Sequence, residues 1–289
     1  MRNILVTGAN GQLGSEIRSI GSLYPESSFT FTDREMLDLS NLCAIEEFFK
    51  GKKFDAIINC AAYTAVDKAE SERELADTIN HRFVSMLATI AQRDFAKLIH
   101  ISTDYVFDGK HHRPYIETDP TDPQGVYGKT KCDGENAILG IAPQNTIIIR
   151  TSWVYSSYGN NFVKTMLRLG KERESLGVIF DQVGTPTYAR DLAHAILEIL
   201  PNINNEQPEI YHYSNEGVAS WYDFATAIFE LSGVTCQVNP ITTDQYPTPA
   251  SRPHYSLLNK TKIKNDFSLS IPHWRDSLKG CLEQLGEIT

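Results

Sequence analysis

The chain opens Ile4-Leu5-Val6-Thr7-Gly8-Ala9-Asn10-Gly11-Gln12-Leu13-Gly14, an apolar run that breaks into glycines three apart and continues with helical spacing. A strand ending in such a loop, followed at once by a helix, leaves the first helical N–H groups free to face a dinucleotide pyrophosphate. In that arrangement Gly8 permits the tight turn, Gly11 the close approach of a phosphate, and Gly14 the packing of helix on strand. An ordinary strand-turn-helix corner shows the same spacing, so the loop alone does not decide the matter. Residues 29–32 read as a second strand and end at Asp33, nineteen residues past Gly14, where a carboxylate hydrogen-bonds an adenosine ribose. Arg34 follows directly.

Short β-branched runs alternate with longer segments of helical period through the first two hundred residues, the pattern of βαβ units and a parallel sheet. Strands are expected at 3–7, 28–32, 56–59, 97–102, 146–151 and 177–180, and helices at 12–23, 42–50, 71–93, 126–139, 160–170 and 189–200. Beyond about Ile210 the chain becomes aromatic-rich, with a helix at 221–232 and a connection holding Pro240, Pro247, Pro249 and Pro253. The fold expected is α/β, a Rossmann-type doubly wound parallel sheet with a smaller C-terminal α/β substrate domain. Residues 1–155 and about 180–215 belong to the first in this reading, and about 156–179 and 216–289 to the second.

Composition excludes several classes of function. No apolar run approaches the roughly 20 residues of a spanning helix, and the first three residues enter a strand without a signal-peptide pattern. The five cysteines are scattered and form no C-x-x-C pair, which suits a reducing cytoplasm better than a disulfide framework or a zinc site. A formal charge of −9 argues against a nucleic-acid binder.

Ligands of doubly wound sheets sit outside the carboxyl ends of the strands. After the third strand the stretch of small residues from Asn59 to Asp67 offers backbone to a cofactor's ribose and phosphates. After the fourth come Ser102, Thr103, Asp104 and Tyr105, and twenty-four residues beyond Thr103 stands Tyr127, four before Lys131. That spacing sets phenol and ammonium on one helical face, where Lys⁺ stabilises a phenolate. Thr103 is then available to hydrogen-bond the oxygen being protonated. A Tyr-x-x-x-Lys pair is common on surface helices; what singles this one out is its place behind a glycine loop, a ribose acid and a hydroxyl residue.

On these motifs, and on residues 64–70, 102–107, 150–155, 159–162, 181–182, 184–187 and 246–253, the chain resembles the extended short-chain dehydrogenase/reductases almost from end to end. The resemblance implies that Gly11, Gln12 and Leu13 bind the cofactor pyrophosphate and Asp33 its ribose. It implies that Asp38, Leu39, Ala62, Tyr63 and Thr64 bind the remainder, and that Tyr127 and Lys131 touch the nicotinamide ribose. Thr103, Asp104 and Trp153 match sugar-contacting positions, and Arg252 is the candidate cation for a nucleotide diphosphate. The implied activity is reduction of the C4 ketone of dTDP-4-dehydro-L-rhamnose to dTDP-L-rhamnose. Asp33 favours NADH by repelling a 2′-phosphate and Arg34 favours NADPH by pairing with one, so either cofactor is expected. A related dehydratase needs two adjacent acids after strand four; here Asp104 is followed by Tyr105, which favours simple reduction. Some relatives dimerise around a divalent ion held by acids. Glu16 and Asp191 are present, but Arg190 opposes a cation, so no metal is assigned and the assembly is a monomer or a homodimer. Two alternatives stay open: a non-catalytic nucleotide-binding regulatory subunit like the beta subunit of some methionine adenosyltransferases, and a reductase of another nucleotide sugar. The loop at His111 to Arg113 reads as a solvated turn, and Asp67 as part of the acidic start of a long helix.

Overall fold

In the computed structural model, which describes residues 1–288, the β-branched runs form one six-stranded parallel sheet. It comprises β1 (Arg2–Thr7), β2 (Ser27–Thr32), β3 (Ala56–Asn59), β4 (Lys97–Thr103), β5 (Thr146–Thr151) and a last strand, Glu209–His212. In space the order runs Glu209–His212, β5, β4, β3, β1, β2. The direction of winding reverses between β1 and β3, which opens a crevice at their carboxyl ends.

Both faces of the sheet are covered, as its nearly continuous apolar strands require. Ile4, Val6, Ile58, Ile99 and Ile147 pack on one side with α1 (Gln12–Ile20) and the helix Ala189–Ile199. Leu5, Ile57, Leu98 and Ile148 point to the other side, against α2 (Leu42–Phe49) and further helices. A second core gathers Tyr155, from the short strand Val154–Tyr155, with Val163, Phe224, Ile228, Trp274 and Leu278 of the helices Phe162–Glu172, Trp221–Ser232 and Trp274–Gln284. The Trp221 helix starts at a capping box between Ser220 and Asp223, which satisfies donors its first turn leaves free.

Two expectations need correction. The strand expected at 177–180 is Ser175–Ile179, and it pairs with Gln237–Ile241 in a separate two-stranded sheet rather than with the central one. The helix expected at 71–93 is divided into α4 (Arg73–Asp77), a π-helical turn (Thr78–Arg82) and α5 (Phe83–Asp94), preceded by the short α3 (Val66–Ala69). The wider turn carries Asn80, fully buried, whose Oδ1 accepts from Tyr63 N at 2.8 Å and whose Nδ2 donates to Tyr63 O and Thr130 Oγ1, each at 3.1 Å. A π-bulge often marks such a functional contact.

Candidate active site

The crevice is a cleft of about 920 Å³ at the carboxyl ends of β1, β3 and β4. Its floor is the glycine loop. A Cβ on Gly8, whose φ is +69°, would lie 2.7 Å from Ala61 N, and one on Gly14 would lie 2.4 Å from Gly8 O. Backbone is therefore the only surface that fits there. Gly11 caps α1 without a side-chain hydrogen bond, which leaves the first-turn N–H groups to an outside acceptor. Bare loop and uncapped helix together fit a dinucleotide pyrophosphate.

Gly8, Gly11, Gln12 and Leu13 line the cleft, as do Asp33, Arg34, Asp38 and Leu39 on one wall. Gly14 lies beneath the loop in the packing role its position suggests. Asp33 is held outward by Met36 N at 3.0 Å, Glu35 N at 3.1 Å and Asn10 Nδ2 at 3.0 Å. The Met36 N–H, foremost among these, keeps its carboxyl below the usual range. The Ser40 hydroxyl and N–H do the same for Asp38. Ala62, Tyr63 and Thr64 form the opposite wall, with Tyr63 fixed by Asn80.

The helix α6 (Val126–Ile141) brings the next group. A Cβ on Gly128 would lie 2.2 Å from Tyr105 O, so α6 presses directly on the turn after β4 and draws Tyr127 toward it. Tyr127, Lys131, Thr103 and Asp104 all line the same cleft. Thr103 Oγ1 donates to Asp104 Oδ1 at 3.0 Å and accepts from Tyr105 N at 3.2 Å. Burial pushes the Tyr127 phenol up to about 12, with the Thr103 hydroxyl acting in the opposite direction. Burial likewise pushes Asp104 up to about 6, and among the described residues its Oδ2 has no hydrogen-bond partner. Lys131 is drawn down to about 8 by the same cause, against the attraction of Glu135.

Lys131 differs from expectation in its partners. Nζ donates to Ile101 O at 2.6 Å and lies 3.3 Å from His100 Nε2; among the described residues no hydrogen bond joins it to the phenol. Arg252 differs more. Its guanidinium grips Asp67 at 2.8 and 3.1 Å and Ala250 O at 3.1 Å, and it does not line the cleft. Asp67 is thus an ion-pair partner in addition to a first-turn acid. Trp153 follows β5 with a left-handed φ of +48° and stacks on Trp221, ring centres 3.6 Å apart and planes 10° apart. Trp153 lines the cleft, and Trp221, behind it, escaped the sequence reading because an aromatic at a helix start reads as core. Ser256 escaped it too; its buried Oγ has no hydrogen-bond partner among the described residues, and a Cβ on Gly184 would lie 2.6 Å from it.

Glu16 is fully buried, accepts from Ser156 Oγ at 2.6 Å and lies 3.5 Å from Arg190 Nη1. Burial raises its carboxyl. Asp191 turns instead to Asn215 Nδ2 at 2.7 Å and Ser277 Oγ at 2.5 Å. Among the described residues no three acids, histidines or cysteines gather as a metal group. No helix among them is long and apolar enough to cross a membrane.

The family described as the RmlD substrate binding domain matches residues 1–287. The chain belongs to this family. Within the RmlD relatives, a dTDP-4-dehydrorhamnose reductase of Aggregatibacter actinomycetemcomitans is 43% identical over 96% of this chain and 98% of its own length. A solved dTDP-4-dehydrorhamnose reductase from Clostridium acetobutylicum superposes with a TM-score of 0.92 at 43% identity, covering 98% of this chain and 99% of that one. One from Bacillus anthracis, solved in complex with NADP, gives a TM-score of 0.92 at 38% identity with the same coverage. The RmlD match thus spans both the sheet and the second core.

Proposed function

We propose that the protein reduces the C4 ketone of dTDP-4-dehydro-L-rhamnose to dTDP-L-rhamnose, with NADPH or NADH. The observation that carries the reading is the convergence of Thr103, Tyr127 and Lys131 on a cleft floored by the glycine loop, in a chain nearly coextensive with reductases of that name. The nicotinamide, when bound, supplies the hydride that reaches C4. Tyr127 gives its phenolic proton to the ketone oxygen. A phenol titrating at about 12 is fully protonated near neutrality, the form a reduction requires. Thr103 orients the ketone, and Lys131, an ammonium below about pH 8, supports the phenolate left behind.

The sugar nucleotide enters from the side of the second core, where Trp153, backed by Trp221, presents a flat apolar wall. In this reading the residues of that core, about 156–179 and 216–289, form the substrate domain. Arg252 acts there through its Asp67 clasp before any phosphate. Asp33 has its oxygens engaged by its own loop yet retains acceptor capacity for a ribose, and Arg34, without an ion pair among the described residues, lines the cleft beside it for a 2′-phosphate, so both cofactors serve. The test is loss of absorbance of NADPH, and separately of NADH, on addition of dTDP-4-dehydro-L-rhamnose, with the product identified by mass and stereochemistry. Formation of dTDP-L-rhamnose supports the reading. Cofactor binding without turnover removes it in favour of another nucleotide sugar.

A further inference from the structure

Three adjacent strands carry a polar side chain at the same level. Thr7 on β1 is the register partner of Asn59 on β3, and Asn59 that of His100 on β4. All three are fully buried, at the end of a face otherwise built from Leu5, Ile57 and Leu98. Thr7 Oγ1 donates to Asn59 Oδ1 at 2.6 Å, Asn59 Nδ2 lies 2.9 Å from His100 Nδ1, and His100 Nε2 lies 3.3 Å from Lys131 Nζ. The rung ends on Lys131 and has no exit to solvent at Thr7, so it cannot conduct protons away.

Its hydrogen-bond polarity follows from counting donors. Burial and the neighbouring Lys131 charge hold His100 well below the usual imidazole range, so the ring carries a single proton. An amide nitrogen only donates; with Asn59 Nδ2 on Nδ1, that proton sits on Nε2 and faces Nζ. The direction of the Asn59 amide is decided in turn by Thr7. Its hydroxyl has no other acceptor among the described residues, and reversing the amide would strand a buried hydroxyl proton.

We propose that Thr7, Asn59 and His100 form a positioning rung for Lys131, whose polarity, set at Thr7, presents Nε2–H to Nζ and favours the amine over the ammonium. Burial already opposes the charge on Lys131, and none of the other groups facing it adds to that direction. Glu135 on α6 favours the charge, but its carboxylate is already gripped by Arg150 at 2.6 Å. Tyr127, one turn away, is neutral until the phenolate forms. Ile101 O, which accepts from Nζ at 2.6 Å, holds the nitrogen in place and, like Glu135, favours the ammonium, so the rung acts with burial against these two. The inference takes its catalytic meaning from the reductase reading, yet its test does not require turnover.

The whole protein is labelled with ¹³C at lysine Cε and followed by NMR from about pH 6 to 11. The Lys131 signal is assigned by its loss in Lys131→Met. Thr7→Val removes only the hydroxyl, three links from Nζ, and leaves either amide orientation with one unpaired atom, so the bias disappears. The Lys131 midpoint is then expected to rise by about half to one pH unit, and Thr7→Ser, which keeps the hydroxyl, to match the parent. If Thr7→Val does not fold, His100→Phe, which deletes Nε2–H, is expected to raise the midpoint in the same way. An unmoved midpoint in a folded variant, judged by a cooperative melt, overturns the rung. A raised midpoint in a protein that reduces no dTDP-sugar keeps the rung and removes the reductase reading instead.

Discussion

Tyr127 and Asp104 lie at the same end of β4, and burial moves both in the same direction, with different consequences. For Tyr127 the outcome is a phenol that stays protonated at neutral pH, as the proposed proton donor must. Tyr127→Phe keeps the ring and its edge contact with Tyr105, ring centres 5.4 Å apart, while deleting the proton. Turnover is expected to fall by about 10²- to 10⁴-fold with cofactor affinity nearly unchanged; parent-like rates would show that another group protonates the ketone. For Asp104 the outcome is a pH-dependent stability. Its carboxyl titrates near 3.9 in an unfolded chain and at about 6 here, so the folded state binds the proton more tightly. Its contribution is full below about pH 4 and is lost as pH rises through about 6, a swing of up to about 3 kcal/mol. Asp104→Asn, which never ionises, is expected to melt progressively higher than the parent between about pH 4 and 7. Melting curves that stay parallel over that range would contradict the burial argument. Tyr127, Lys131, Thr103 and Asp104 were legible in the sequence because their spacing after a strand is local. The actual partners of Lys131 and Arg252 were not, since His100, thirty-one positions earlier, and Asp67, 185 positions earlier, become neighbours only through the sheet and the return of the C-terminal segment.

At the scale of elements, α6 depends on a borrowed cap. Gly125 offers no side chain to the first turn, and the donor at Val126 N is taken at 2.8 Å by Glu70 Oε1, just beyond the short α3. A carboxylate there both accepts the hydrogen bond and complements the helix dipole. Glu70→Ala is expected to cost about 1 kcal/mol in a thermal or denaturant melt and to lower turnover by loosening Tyr127 in the second position of the helix. Glu70→Gln keeps an acceptor and should restore most of both; equal losses in the two variants would mean that the charge, not the cap, matters. The strands and most helices could be read from apolar period, because each buries a continuous run or stripe. The π-helical turn could not. It carries Asn80 to the backbone of Tyr63 on a separate loop, a contact that no apolar period encodes. The strand at Ser175–Ile179 has a similar lesson: its period identified the strand, while its partner, Gln237–Ile241, lies some sixty residues on and contains Pro240.

Across the whole molecule, the C-terminal segment returns to the cofactor side and is fastened there. Asp67 on α3 accepts from Ala250 N at 3.1 Å and holds the Arg252 guanidinium through both oxygens. The Arg252 and Asp67 side chains are 25% and 39% exposed, so solvent screening limits the pair to about 1 kcal/mol or less of stability. Its larger effect is geometric, since the segment from Tyr246 to Pro253 leads into Ser256, opposite Asp104, and Pro253 closes on Gly109, where a Cβ would meet it at 2.5 Å. Two roles for Arg252 then make different predictions. As a clasp, it shares one function with Asp67: Arg252→Met and Asp67→Asn should each raise the KM for the dTDP-sugar by a similar factor, and the double variant should be no worse than either. As a ligand of the diphosphate, Arg252 would be needed even without Asp67, and the two losses would multiply. The clasp predicts coupling close to the full effect of either single change, measured as kcat/KM in the four proteins of the cycle. Independent, additive losses would detach Arg252 from the strap and return it to the substrate.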